Sequence, residues 1–186
     1  MMKVRSPRDG RKGGSIMSSG FTYDAVNILG FGEAATQALP QAAEDEVVLR
    51  YGGWSLQELR DSAIGQRLMH RQDWYDTYPW STEKLPSGVY RLRVPVPESS
   101  GKTFADQKRM LPNGEQIAPI VLVASGLLVH YLQTGEDLLK KDWTRCREQT
   151  ADGRVGLGWH CGRLDVNNDW DDYRDGSLWA SSVRTS

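Results

Sequence analysis

The sequence predicts an α+β fold, with a helical N-terminal half packed on a small antiparallel C-terminal sheet. Three observations carry this expectation. The longest apolar run, Pro119 to Leu132, is apolar nearly all round, as a centrally buried helix is. Helix-start signals and narrow apolar stripes precede it. From Trp143 onward the last 44 residues hold no proline, lysine, phenylalanine or methionine, and short β-like runs alternate with turns.

In chain order, residues 1–20 read as a disordered basic tail. Lys3, Arg5, Arg8, Arg11 and Lys12 oppose the single Asp9, and glycines and serines follow. Such a composition buries too little apolar surface to offset ordering entropy. Residues 21–186 then read as one α+β domain. Asp24 can cap a short helix over Ala25–Leu29, and Glu33–Leu39 reads as a second, ended before Pro40. Val47–Tyr51 is a β-like run stopped by Gly52 and Gly53. Ser55 and Glu58 form a capping box that starts a helix over Leu56–Ile64. Leu68–Trp80 is rich in aromatic rings, and Pro79 and Pro86 bracket a loop. In Val89–Val96, Tyr90, Leu92, Val94 and Val96 share one strand face and Arg91 and Arg93 the other. Pro95 and Pro97 assign the end of that strand to an edge.

Thr103–Leu111 has helical character, and Pro112-Asn113-Gly114 is a turn signal. Pro119 fits the first position of a helix over Ile120–Leu132, where its missing N–H would be unpaired anyway. Thr134-Gly135 ends that helix, and Glu136–Lys141 reads as one more helical turn. The β-rich C-terminal region, 143–186, contains the runs Trp143–Arg147, Arg154–Trp159, Arg163–Val166 and Leu178–Arg184. A hairpin turn falls at Ala151-Asp152-Gly153.

Composition narrows the function classes. The chain has 186 residues, 39% hydrophobic and 25% charged, with net charge −1. A domain of this size buries about 70% of its unfolded surface, so it needs no metal or disulfide staple. Near-neutral charge argues against a dedicated nucleic-acid binder. No apolar run reaches the ~18–20 residues of a membrane helix, and no apolar stretch follows the basic tail to make a secretory signal. The default expectation is a soluble, cytoplasmic protein. Seven tryptophans against three phenylalanines suggest rings with polar duties as well as packing ones.

The chemistry-bearing residues concentrate near the C-terminus. Asp165–Gly176 reads DVNNDWDDYRDG, five aspartates and two asparagines in twelve residues. Oxygen donors at this density suit calcium, which takes six to eight oxygen ligands. An EF-hand frame from Asp165 fails twice, because Trp170 stands where glycine must turn and Gly176 where the bidentate glutamate belongs. A solvated acidic loop is the plainer reading. A binding surface is the third, since Trp170 and Tyr173 supply rigid amphipathic area among adaptable polar groups. Cys146, His160 and Cys161 would approach one another if the first two C-terminal strands pair, but the C-x-x-C pairs of a structural zinc site are missing. The cysteines read best as packed free thiols. His130, in the apolar helix, reads as a satisfied core histidine rather than a catalytic base. No nucleophile elbow, phosphate loop or H-E-x-x-H motif occurs.

Trp143-Thr-Arg-Cys146, the turn-rich RVGLGWHCGRLDVNNDWDDYRDG and the closing Leu178-Trp-Ala-Ser-Ser-Val-Arg184 together resemble the end of a C-type-lectin-like domain. The kind resembled is the formylglycine-generating-enzyme-like fold that includes variable proteins diversified by retroelements. The resemblance covers the last 44 residues and implies a C-type-lectin-like fold whose exposed variable stretch recognises a ligand. In such proteins diversification leaves Asn, Asp, Tyr, Ser, Gly, Arg, His and Cys on the binding face, as in residues 159–177 here. The calcium-dependent sugar tripeptide of lectins is missing, so carbohydrate binding is not implied.

The leading expectation is a non-catalytic recognition module, with no catalytic residue and no cofactor. Its exposed face would comprise Trp159, His160, Asn167, Asn168, Asp169, Trp170, Asp171, Tyr173 and Asp175, presented to a protein partner. Trp143 and Trp179 are assigned to packing instead. The alternatives are an enzyme using His160, Cys161 or the aspartates between helical half and sheet, and a metal-stabilised structural protein.

Overall fold

The computed structural model describes residues 20–33 and 35–185. The expected basic tail, but for Gly20, lies outside them. Two sheets enclose one long helix. The first sheet has five strands in the order β1-β2-β3-β9-β4: β1 (Phe21–Asp24), β2 (Val47–Tyr51), β3 (Gly88–Arg93), β9 (Ser182–Thr185) and β4 (Gln116–Ile117). The second has four, in the order β7-β6-β5-β8: β7 (Arg163–Asp169), β6 (Arg154–His160), β5 (Trp143–Gln149) and β8 (Leu178–Ala180). Helices α1 (Ala25–Ile28), α2 (Leu56–Asp61), α3 (Ala63–Leu68) and α4 (Phe104–Arg109) are short, and α5 (Ile120–Thr134) is long.

Helix α5 is buried at every residue from Ile120 to His130, and it packs on β2 and β3 of one sheet and on β5 and β6 of the other. Its all-round apolarity follows from having a protein wall on every side. Two polar side chains within it are satisfied. Ser125 accepts from the Trp54 indole at 3.1 Å and donates to the Val121 carbonyl at 2.7 Å. His130 Nδ1 lies 2.9 Å from the Tyr23 hydroxyl, and burial lowers the imidazole's proton affinity. It is the core histidine that its place in an apolar run suggested. Gly135 ends α5 in the left-handed region at φ 75°, where a side chain would be strained. Among the described residues no helix is long and apolar enough to cross a membrane.

The front half is not a helical layer. It contributes β1, β2 and β3, which are completed by β9 from the far end of the chain. Strand β3 is central rather than an edge, because it ends at Arg93 before the prolines and pairs with β2 and β9. No helix forms over 33–39 among the described residues. There the Ala35 and Gln37 carbonyls accept from the Arg50 guanidinium, which also pairs with Asp24 at 3.1 Å. Glu136–Lys141 forms turns, with the Asp137 carboxylate accepting from the Leu139 and Lys141 N–H groups. The closing segment splits at Ser181: β8 joins the second sheet and β9 the first. Strand β8 runs parallel to β5, so the second sheet is mixed, not purely antiparallel. Ser181 makes the crossing possible, donating its N–H to the Arg145 carbonyl and accepting from the Ala118 N–H.

The Ser55–Glu58 capping box forms as read, but Ser62 interrupts the helix and caps α3 in turn. The joint has a steric requirement. A Cβ on Gly65 would stand 2.0 Å from the Leu59 carbonyl oxygen. Gly65→Ala is therefore expected to cost about 1–3 kcal/mol in urea unfolding, since two packed backbones must part. An unchanged midpoint would show that the joint has slack.

Candidate functional site

The β6–β7 hairpin decides which of the expected residues meet. Its register sets His160 opposite Arg163 at the turn and Arg154 opposite Asp169 at the far end. Six residues of strand separate these ends, about 20 Å. The nine expected site residues thus divide into two groups.

At the turn, Cys161 and Gly162 both take positive φ, 48° and 77°, as a two-residue hairpin turn of matching twist requires. Cys161 and His160 are exposed, and the His160 carbonyl lies 2.9 Å from His70 Nε2. Trp159 is not a free surface ring: it is half-buried and packs on Tyr131 with centroids 4.6 Å apart. Cys146 faces the core on β5, where burial pushes its thiol well up. The cysteines are both free, one buried and one exposed. His160 and Cys161 do not meet the aspartates of the far end.

At the far end, Asn168 and Asp169 close β7 and the loop 170–177 follows. This loop is held from beneath. Arg145 on β5 is fully buried. Its guanidinium donates to the Trp170 and Tyr173 carbonyls, both at 2.8 Å, to the Lys102 carbonyl at 3.1 Å and to Gln107 Oε1 at 3.3 Å. Burial lowers the Arg145 pKa, while Asp169, Asp171 and Asp172 act the other way. Arg154 grips from the side. It donates to both Asp171 oxygens at 3.2 Å and lies over the Phe104 ring, 4.1 Å from its centroid. The Phe104 and Gly101 N–H groups donate to the Asp171 and Asp175 carbonyls, each at 2.8 Å. The Asp175 carboxylate accepts from the Ser177 N–H and hydroxyl, which hold its carboxyl below the usual range.

The acidic stretch is divided between a strand and a loop. Its first half lies in β7, where Asp165, Asn167 and Asp169 share one strand face, spaced about 7 Å apart along it. In its second half, Asp171 is engaged by Arg154 and Asp175 by Ser177. Among the described residues no group of three or more His, Cys, Asp or Glu is arranged to hold a metal ion.

On this braced frame two rings stand out. Trp170 is 67% exposed and Tyr173 43%, the exposed large hydrophobic side chains of the described residues. With Asp152, Asn168 and Asp169 they line an open cleft of about 500 Å³. Asp169 is half-buried, and burial raises its pKa. Gly153 lets the β5–β6 turn close over it, since a Cβ there would stand 2.1 Å from the Asp169 carbonyl oxygen. Asn167 is exposed on the same end of β7. Trp143 and Trp179 are packing rings: Trp143 covers Gly158, and the half-buried Trp179 donates its indole N–H to Asp142 at 2.9 Å.

Sequence reading missed Arg145, Arg154 and Asp152. Only the alternation within β5 hinted at Arg145, which sits on the face opposite Thr144 and Cys146 and would be solvated if no loop covered it. Comparison with protein-family models, with curated proteins and with solved structures finds no match to this chain.

Proposed function

We propose that the chain is a non-catalytic recognition module that binds a protein partner through the loop 170–177 and the end of β7. The observation that carries this reading is the exposure of Trp170 and Tyr173 on a loop pinned by the buried Arg145 guanidinium. Exposed aromatic rings lose little conformational entropy on binding when their backbone is already fixed, and such rings are enriched among interface hot spots. Asn167, Asn168, Asp169, Asp171 and Asp175 supply the polar rim, while Trp159 and His160 stand about 20 Å away and contribute no contact to this patch. The resemblance of residues 143–186 to retroelement-diversified C-type-lectin-like proteins agrees with a recognition role, and it predicts that substitutions between close relatives concentrate at exposed positions of 159–177.

The test is a quantitative capture experiment with the immobilised full chain and its Trp170→Ala/Tyr173→Ala variant. The recovered partner is purified and titrated against both. Affinity is expected to fall at least about tenfold in the variant. Thermal stability should change little, because both side chains are exposed. A partner that binds both proteins equally, or no protein retained in a Trp170-dependent way, refutes the reading.

A further inference from the structure

The partner's chemistry can be read from the same cleft, an inference that rests on the recognition reading above. We infer that the cleft between Trp170 and Tyr173 seats an arginine side chain of the partner, with Asp152 and Asp169 as its counter-charges. Charge complementarity selects this occupant. The lining consists of two aromatic rings, two carboxylates and one amide, and it contains no cation. The nearby guanidinium groups are engaged elsewhere. Arg145 is buried under the loop on backbone carbonyls, and Arg154 is held by Asp171, the Arg147 carbonyl and the Phe104 ring. Arg174 points towards Asp106, at 3.8 Å.

The cleft thus presents acceptors and ring faces to a visitor and no competing donor charge. A guanidinium fits both at once: its flat face stacks on an aromatic ring while its edge donates to carboxylates. An ammonium offers no such plane, and an anion would meet the Asp152 and Asp169 carboxylates in the lining. Burial raises the Asp169 pKa although the Arg145 charge opposes it, and a cation bound in the cleft would favour the charged carboxylate further.

The test uses the full chain, isotopically labelled, with tetra-arginine amide as probe and tetra-citrulline amide as its neutral isostere. Chemical shifts are followed at the Trp170 indole N–H and at the amides of 152, 168, 169 and 173. Tetra-arginine is expected to give saturable shifts confined to these positions. Tetra-citrulline should bind at least about tenfold more weakly, as should the Asp152→Asn/Asp169→Asn variant with tetra-arginine. Equal binding of the two peptides, or saturable shifts spread over other acidic surface, overturns the inference. A synthetic peptide of residues 1–16 that binds more tightly than tetra-arginine would make this chain's own basic segment the occupant, and shifts that depend on protein concentration alone would make it a second copy. Either outcome overturns the assignment to a partner. The two readings also fail separately. A partner lost on Trp170→Ala/Tyr173→Ala but retained by Asp152→Asn/Asp169→Asn leaves the recognition surface standing and removes the arginine.

Discussion

Replacing Arg145 with leucine is expected to lower the free energy of unfolding by about 3–5 kcal/mol and to release the loop 170–177. Leucine fills part of the space, so the loss comes mainly from acceptors left without donors. The carbonyls of Lys102, Trp170 and Tyr173 and the Gln107 side chain all take hydrogen bonds from this one guanidinium. Burying an acceptor without a donor costs about 1–3 kcal/mol, and water entering the opened site recovers part of it. Arg145→Lys keeps the charge but has no fork to span two carbonyls, and it should recover less than half of the loss. Urea unfolding gives the stability. Amide exchange of residues 170–177 gives the loop, whose protection should fall more than that of α5. A loss below about 1 kcal/mol with unchanged loop protection would show that the guanidinium does not hold the site together.

The second large effect concerns pH. Glu148 is buried in β5, where its carboxylate accepts the Ile120 N–H at 2.8 Å and the Arg147 Nε–H at 3.2 Å. Burial pushes its pKa up to about 7 against an ordinary 4.5, even though the N–H at the start of α5 and the Arg147 charge pull the other way. The folded state therefore holds this proton more tightly than the unfolded chain does. Stability contributed by Glu148 is full below pH 4.5 and is lost as pH rises to about 7. The loss amounts to about 3 kcal/mol. Glu148→Gln keeps an oxygen for the Ile120 N–H and cannot ionise. Its stability relative to the unsubstituted protein should rise by about that amount between pH 4.5 and pH 8, read from denaturant melts at each pH. Glu46 works in the opposite sense: hydrogen bonds from Ala43, Arg91 and Arg184 outweigh its burial and lower its pKa, so its contribution fades as pH falls. Taking the difference between the two proteins isolates Glu148. Parallel pH profiles would mean that its carboxyl does not change protonation on unfolding.

Much of the architecture was legible because it is local. The apolar run after Pro119 gives α5, the Ser55–Glu58 spacing starts a helix, and the alternation in Arg154–Trp159 and Arg163–Val166 gives the β6–β7 hairpin. Each depends on residues within a few positions, where hydrophobic period and capping chemistry act. The five-stranded sheet was not legible, since β3 pairs with β9 across about half the chain and no local pattern selects that partner. Nor was the split of Leu178–Arg184 between two sheets.

The same division runs through the site. Composition by itself located the aromatic and acidic stretch around Trp170, and it separated His130, a core residue, from any exposed chemistry. Only the tertiary structure decided which of those residues share a surface. An antiparallel hairpin joins its turn residues and holds its two ends a strand's length apart, so Trp159 and His160 left the patch while Asp152 entered it. Only the tertiary structure supplied Arg145, because a buried guanidinium is selected by carbonyls that converge from Lys102, Trp170 and Tyr173. Backbone carbonyls are the same in every residue type, so the sequence carries no mark of where they will meet.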